Sequence, residues 1–390
     1  MDFDRYQQNQ QILSQVTRHT TSSIKILQTR VAQWNNATVK EMQADLDLVH
    51  FIFKHGRACC SSFASACAAQ ILYPQLARLV LDQTNDKKTT ALSYSLLVCM
   101  VDLVKQDSLF SLTSSQLLKF ITMASPLWLH HKIYICRKSM ELCYRLLYHA
   151  IDDNQGSIIV NSVVLYIRQC RIHMTRADVE KIRSHEYTEF YFNYFNGVDT
   201  LPMIYDRTTI TWLVQITFAL FLKQVGNHQA LIKEIKDLYK SNCLYNMREL
   251  LFDICCANDD DTVQFLDTIL SIYQQPQQQT AQFFSTIDIN PHSLFLFFVQ
   301  KCGNTHDILI DLLLENDSGF ISYFHRYILY ATRYMDAFKD AIHSSAGTDL
   351  DTIQTIITNT ILVLERDGFP YNAKPLIRRL TIFEEKLFEG

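Results

Sequence analysis

Turn-formers are scarce in this chain, with 9 glycines and 7 prolines among 390 residues. So few breakers leave long elements joined by short connections, which favours helices over many short strands. Charge is sparse too. Charged residues make up 19% and the formal net charge is −4, so the molecule as a whole has no general attraction for phosphate backbones or anionic lipid. The longest cationic clusters are pairs, Lys87-Lys88 and Arg378-Arg379, too short for a nuclear-import run or a nucleic-acid stripe. Met1 to Gln10 is polar and carries Asp2 and Asp4, with no basic region ahead of an apolar one, so no signal peptide is expected. The uncharged stretch Ala58 to Ala77 is diluted by serines and glutamines. Thr208 to Leu222 is more apolar but shorter than the roughly 20 residues a bilayer requires. No membrane span is expected.

Catalytic and metal signatures are missing as well. The sequence holds no GxGxxG, P-loop, GxSxG or HExxH pattern. Eleven cysteines cannot all pair, and no CxxC spacing occurs; the neighbours Cys59-Cys60 and Cys255-Cys256 suit neither a disulfide nor a zinc knuckle. Cys99, Cys136 and Cys143 lie on apolar helical patterns, so the cysteines read as reduced core residues of a cytoplasmic or nuclear protein. His130 and His131, with Cys136 nearby, point in different directions from a helix and need outside help to hold a metal. Asp259 to Asp261 lacks the alternation and glycine of an EF-hand loop and reads instead as a helix cap. No catalytic residue, cofactor or metal site is assigned, and the chain is not expected to be an enzyme.

What is present is helical periodicity. Hydrophobic residues reach 48%, enough for a large interior. Thr113-x-x-Gln116, Ser125-Pro126, Thr175-x-x-Asp178 and Asn290-Pro291 all look like helix starts. Stripes follow at helical spacing: Leu250, Leu251, Ile254 and Cys255, then Val263, Leu266, Leu270 and Tyr273. Thr208 to Leu222 is apolar nearly all round and needs cover on several sides. The polar run Gln274 to Gln282 reads as a surface connection. The aromatic run Phe190 to Phe195 can plug a gap between helical subdomains or anchor a partner; turn-and-plug is the plainer reading. No fixed repeat period emerges. The pattern predicts an all-α fold, an armadillo/HEAT-like irregular α-solenoid of packed helical hairpins.

The last eighty residues are the most specific. Phe320, Tyr323, Phe324, Tyr327 and Ile328 share one helical face, and Leu350, Ile353, Ile357, Ile361 and Leu364 another. Asp317 or Ser318 can cap the first of these helices, and Gly368 can end the second. Asn372 caps a last helix with Leu376, Leu380, Phe383 and Leu387 facing inward. Taken together, Leu312-Leu313-x-x-Asn316-x-x-x-Phe320-x-x-Tyr323-Phe324-x-Arg326-Tyr327 and Phe369-Pro370-Tyr371-Asn372-x-x-Pro375-Leu376-x-Arg378-x-Leu380 resemble the C-terminal region of the Lines family, from about Asp307 to Leu387. Ala373 stands where that ending has a second proline.

The resemblance implies a developmental regulator that modulates Wingless/Wnt-type signalling and transcriptional output and moves between cytoplasm and nucleus. It implies other proteins as partners, signalling or transcriptional regulators; the charge and hydropathy pattern adds the expectation of no direct nucleic-acid binding and no membrane. It carries over no catalytic residue. Three helical subdomains follow: 1–200 (Lines N-terminal-like), 201–304, and 305–390 (the Lines-like C-terminal region). Phe369 to Asn372 fixes an inter-helix angle by turn chemistry; alternatively Tyr371, Lys374, Arg378 and Arg379 form an outward docking surface. Arg378 and Arg379 can equally pair with Glu384 and Glu385. The functional alternatives are an unrelated α-solenoid adaptor in transport or complex assembly, and an enzyme whose site forms between helices.

Overall fold

A computed structural model of the chain describes residues 29–30, 32–34, 37–58, 90–105, 112–130, 132–173, 179–180, 206–241, 246–276, 278–315, 319–345, 347–366 and 369–389. Among these residues there are helices and turns and no strand. The runs Phe190–Phe195 and Thr175–Asp178, the pairs Lys87-Lys88 and Cys59-Cys60, and His131, Asp317, Ser318 and Gly368 lie outside them. Helix packing divides the chain into two units, Met1–Glu234 and Ile235–Gly390. The boundary falls within the 201–304 segment that the sequence sets apart.

The first unit contains α1 (Val39–Ala58), α2 (Thr90–Val104), α3 (Ser114–Ala124), α4 (Ile133–Leu146), α5 (Asp153–His173) and α6 (Arg207–Lys223), and α7 (His228–Ser241) begins in it. Helix α4 is central and packs on α2, α3 and α6. Its Arg137 Nε donates to Asp206 at 2.6 Å, while Asp206 also caps α6 by accepting from the Thr209 N–H at 2.8 Å. One carboxylate thus fixes a helix start and ties it to a neighbour. Cys99, Cys136, Cys143 and Cys170 are all buried with free thiols. Burial pushes the Cys136, Cys143 and Cys170 thiols up to about 12, as inert core residues behave. Cys136 Sγ donates to the His130 carbonyl at 3.0 Å, and His130 Nδ1 accepts from the Lys132 N–H at 3.0 Å, so both serve the local turn.

Two glycines let α5 and the α6–α7 turn approach closely. A Cβ on Gly156 of α5 would stand 2.8 Å from Val225 Cβ, and Gly226, at φ +82, lies against the Gly156 backbone. Gly156→Ala is therefore expected to cost about 1–3 kcal/mol, read as a lower urea midpoint; an unchanged midpoint would mean that the α6–α7 turn shifts freely.

The second unit contains α8 (Met247–Cys255), α9 (Asp259–Tyr273), α10 (Gln278–Thr286), α11 (Pro291–Lys301), α12 (Asp307–Leu314), α13 (Phe320–Arg333), α14 (Met335–Ser344), α15 (Leu350–Leu364) and α16 (Lys374–Phe388). Its centre is aromatic. Phe320, Tyr323, Phe324 and Tyr327 of α13 are at most 1% exposed, and Tyr327 stacks on Phe295 of α11 with centroids 4.2 Å apart. Helix α13 packs against α9, α12, α14 and α16. Arg326 anchors it to α9, donating to Asp267 at 2.8 Å, Ser271 at 2.7 Å and Gln274 at 2.8 Å.

Several local expectations meet their structure here. Asn290 caps α11 through the Ser293 N–H at 2.9 Å. Thr113 takes Gln116 Oε1 on its N–H at 2.7 Å. The aspartates 259–261 form the first turn of α9, and the cap is Asn258, accepting from the Asp261 N–H at 2.8 Å. Other expectations are corrected. Ser125-Pro126 does not start a fresh α-helix: α3 runs straight into a 3₁₀ turn, Ser125–Leu129, because Ala124 keeps helical dihedrals and proline has no N–H to continue an α ladder. The run 274–282 is helical from Gln278, because burial of Phe283 and Phe284 recruits the polar residues ahead of them. Leu350 is exposed as the first residue of α15, whose cap is Asp349, while the rest of its stripe is buried.

Candidate functional site

The C-terminal turn and α16 hold the four residues singled out from sequence. The cap position of α16 is Ala373, not Asn372, whose Oδ1 accepts the Lys374 N–H at 3.1 Å in the turn just ahead; Leu376, Leu380, Phe383 and Leu387 bury the inner face as predicted. The side chains of Lys374 and Arg378 face solvent, whereas Arg379 is half-buried and donates from Nη1 to the His325 carbonyl at 3.0 Å. No ion pair joins Arg378 or Arg379 to Glu384 or Glu385; Glu384 instead accepts from the Thr358 hydroxyl of α15. Tyr371 is half-buried and meets Phe369 edge-on at 5.9 Å. Its hydroxyl is buried without a hydrogen-bond partner, and burial raises its pKa.

That hydroxyl separates the two readings of Tyr371. Tyr371→Phe removes a buried unsatisfied oxygen and is expected to leave stability unchanged or slightly higher. Tyr371→Ala is expected to cost about 1–2 kcal/mol, below a full core truncation because the ring is half-exposed. Thermal denaturation of the pair checks both; equal losses would mean that the hydroxyl has a partner in solution.

A concavity of about 570 Å³ opens beside the N-terminus of α11. Arg248, Tyr273, Asp288, His292, Tyr330 and Asp340 line it. Arg248 lies 3.4 Å from Asp288 and covers the Phe297 ring at 5.2 Å. The Tyr273 hydroxyl donates to the Ile289 carbonyl at 2.8 Å. Burial pushes Tyr330 up to about 12 and His292 down to about 4. A cleft with shifted groups is where an enzyme site would be sought. The cause of the His292 shift is burial. Its Nε2 is sealed from solvent without a partner, and its Nδ1 lies 3.5 Å from the Tyr327 hydroxyl. This is the chemistry of a core histidine in an aromatic cage. Nothing in the sequence around Asn290-Pro291 marks His292 for burial, since that depends on Tyr330 and Phe338, which arrive from other helices. Among the described residues no three His, Cys, Asp or Glu side chains converge as metal ligands, and no helix is long and apolar enough to cross a membrane.

Fold and surface together define a helical protein whose exposed chemistry lies on helix faces. Residues 214–341 match the family model for the Lines N-terminus. A 108-residue stretch is 29% identical to Protein lines of Drosophila melanogaster, covering 26% of this chain and 12% of that protein. The chain is thereby related to the Lines family. The matched region begins inside α6 and ends inside α14, so it shares α12, α13 and the start of α14 with the family-like segment of the sequence, while the Phe369–Asn372 turn lies beyond it. The matching model describes the family's N-terminal region, whereas those motifs resemble its C-terminal one. No solved structure matches the chain.

Proposed function

We propose that this chain is a non-catalytic protein-interaction scaffold, a Lines-like regulator of Wnt/Wingless-type developmental signalling that works in cytoplasm and nucleus. The observation that carries this reading is the relationship to the Lines family over residues 214–341. An irregular armadillo/HEAT-like arrangement is the architecture we infer, supported by the packing of successive helices α8 with α9, α12 with α13, α13 with α14 and α15 with α16. Partners are other proteins held on exposed helix faces.

Proximity labelling from the full chain, in cells that respond to a Wnt-type ligand, tests this. Signalling and transcriptional regulators are expected among the labelled proteins, and depletion of the chain is expected to alter a pathway reporter. Recovery of only trafficking or ribosomal complexes, with an unchanged reporter, would overturn the pathway assignment.

A further inference from the structure

Residues 235–390 contain 12 Lys and Arg against 21 Asp and Glu, so the second unit is acidic. Helices α13 and α16 reverse that balance. Together they carry six of the cations, Arg326, Arg333, Lys374, Arg378, Arg379 and Lys386, and two of the acids, Glu384 and Glu385. Arg326 is turned to α9, and Glu384 is turned away to Thr358. Arg333, Arg378 and Lys386 are exposed.

The two helices are neighbours and run in the same direction. Arg379 Nη1 reaches the His325 carbonyl at 3.0 Å and Lys386 Nζ the Thr332 carbonyl at 3.4 Å, and both bonds span 54 residues. Between these two bridges, at one level, lie Leu329 on α13 and Ile382 on α16. They are 50% and 40% exposed. About half of each aliphatic side chain is still open to water, so an exposed pair flanked by cations is a surface with something to gain from a partner.

We propose that the α13–α16 face docks an acidic amphipathic helix of a partner protein, whose aliphatic side chains seat on Leu329 and Ile382 while its carboxylates meet Arg333, Arg378 and Lys386. The proposal rests on the scaffold reading and names the chemistry of one partner. Charge decides between candidates. An extended polyanion such as a membrane or a nucleic acid would also meet the surrounding acidic surface, whereas a short segment feels mainly the charges within a Debye length of about 8–10 Å. Leu329 and Ile382, one from each helix, can both meet the apolar face of a single helix laid along the seam between α13 and α16.

The test is fluorescence anisotropy on the full chain with a labelled peptide of about 18 residues, five helical turns. Its leucines follow helical spacing and its remaining positions are mostly glutamate; a scrambled peptide of the same composition is the control. The ordered peptide is expected to bind at least about tenfold tighter than the scramble. Ile382→Glu and Arg378→Glu are each expected to weaken it at least about tenfold, and Arg366→Glu, an exposed cation outside both helices, to leave it unchanged. Circular dichroism confirms folding, and the milder Lys386→Gln replaces any variant that fails. Equal binding of the scramble, or wild-type affinity in the variants, overturns the proposal. So does a preference of the same face for phosphatidylserine vesicles or single-stranded DNA over the peptide. If proximity labelling still recovers signalling regulators while peptide affinity ignores these substitutions, the docking face fails and the scaffold stands. If the peptide result holds and those regulators are missing, the pathway reading alone fails.

Discussion

Phe324→Ala is expected to destabilise the second unit by about 3–5 kcal/mol, the range for emptying a buried aromatic site. Phe324 has no exposed surface. Its ring stacks on Phe320 at 5.4 Å and lies 6.1 Å from Phe295 of α11, so truncation opens a void where α11 and α13 meet. The neighbours are rigid rings that cannot flow into the gap as methionines would. Urea unfolding followed by tyrosine near-ultraviolet dichroism reads the loss. A change below about 1.5 kcal/mol would mean that the cluster repacks, and that its aromatic content matters less than its volume.

Acid is expected to weaken the same unit through His292. Burial holds its folded pKa at about 4, below the ordinary 6.5. A histidine with a depressed folded pKa stabilises fully above the unfolded value. That contribution is lost as pH falls from about 6.5 toward 4, because the unfolded chain takes up the proton first. The loss is on the order of 3 kcal/mol when complete. Urea midpoints of wild type and His292→Phe, measured at pH 7.5 and pH 4.5, isolate it from the carboxylates, which titrate in both proteins. Parallel pH profiles for the two would show that the imidazole finds water or a partner in solution.

Residues whose role depends on their own helix were the ones legible in the sequence. The Phe320-to-Ile328 and Leu376-to-Leu387 faces could be read because 3.6-residue periodicity fixes which side chains point inward. Asn290 could be read because capping is a local hydrogen bond, whereas α16 starts from Ala373, one residue past the asparagine expected to cap it. Where long-range packing decides, the sequence was silent or misleading. The polar run ahead of Phe283 became helix because two phenylalanines found a core. Arg379, paired on paper with acids along its own helix, reaches a carbonyl 54 residues away. Of the four residues first proposed as a docking surface, Lys374 and Arg378 point outward, while Tyr371 is half-buried and Arg379 is half-buried in a structural contact. Leu329 and Ile382 gave no signal, since an exposed aliphatic on an amphipathic helix is recognised only once its neighbours are placed.

The parallel pairing of α13 with α16 also bears on how this chain can be dissected. Two helices lie between them in the sequence, so the face of α13 that receives α16 stays uncovered until the last helix returns. Removing the chain from Asp307 onward would strip the cover from the aromatic rings of α11. Such a fragment would bare Phe295 to water and present a sticky surface that the intact molecule never shows. Partners gained or lost by deletion would then report misfolding, and single exposed substitutions are the sounder way to map what this protein holds.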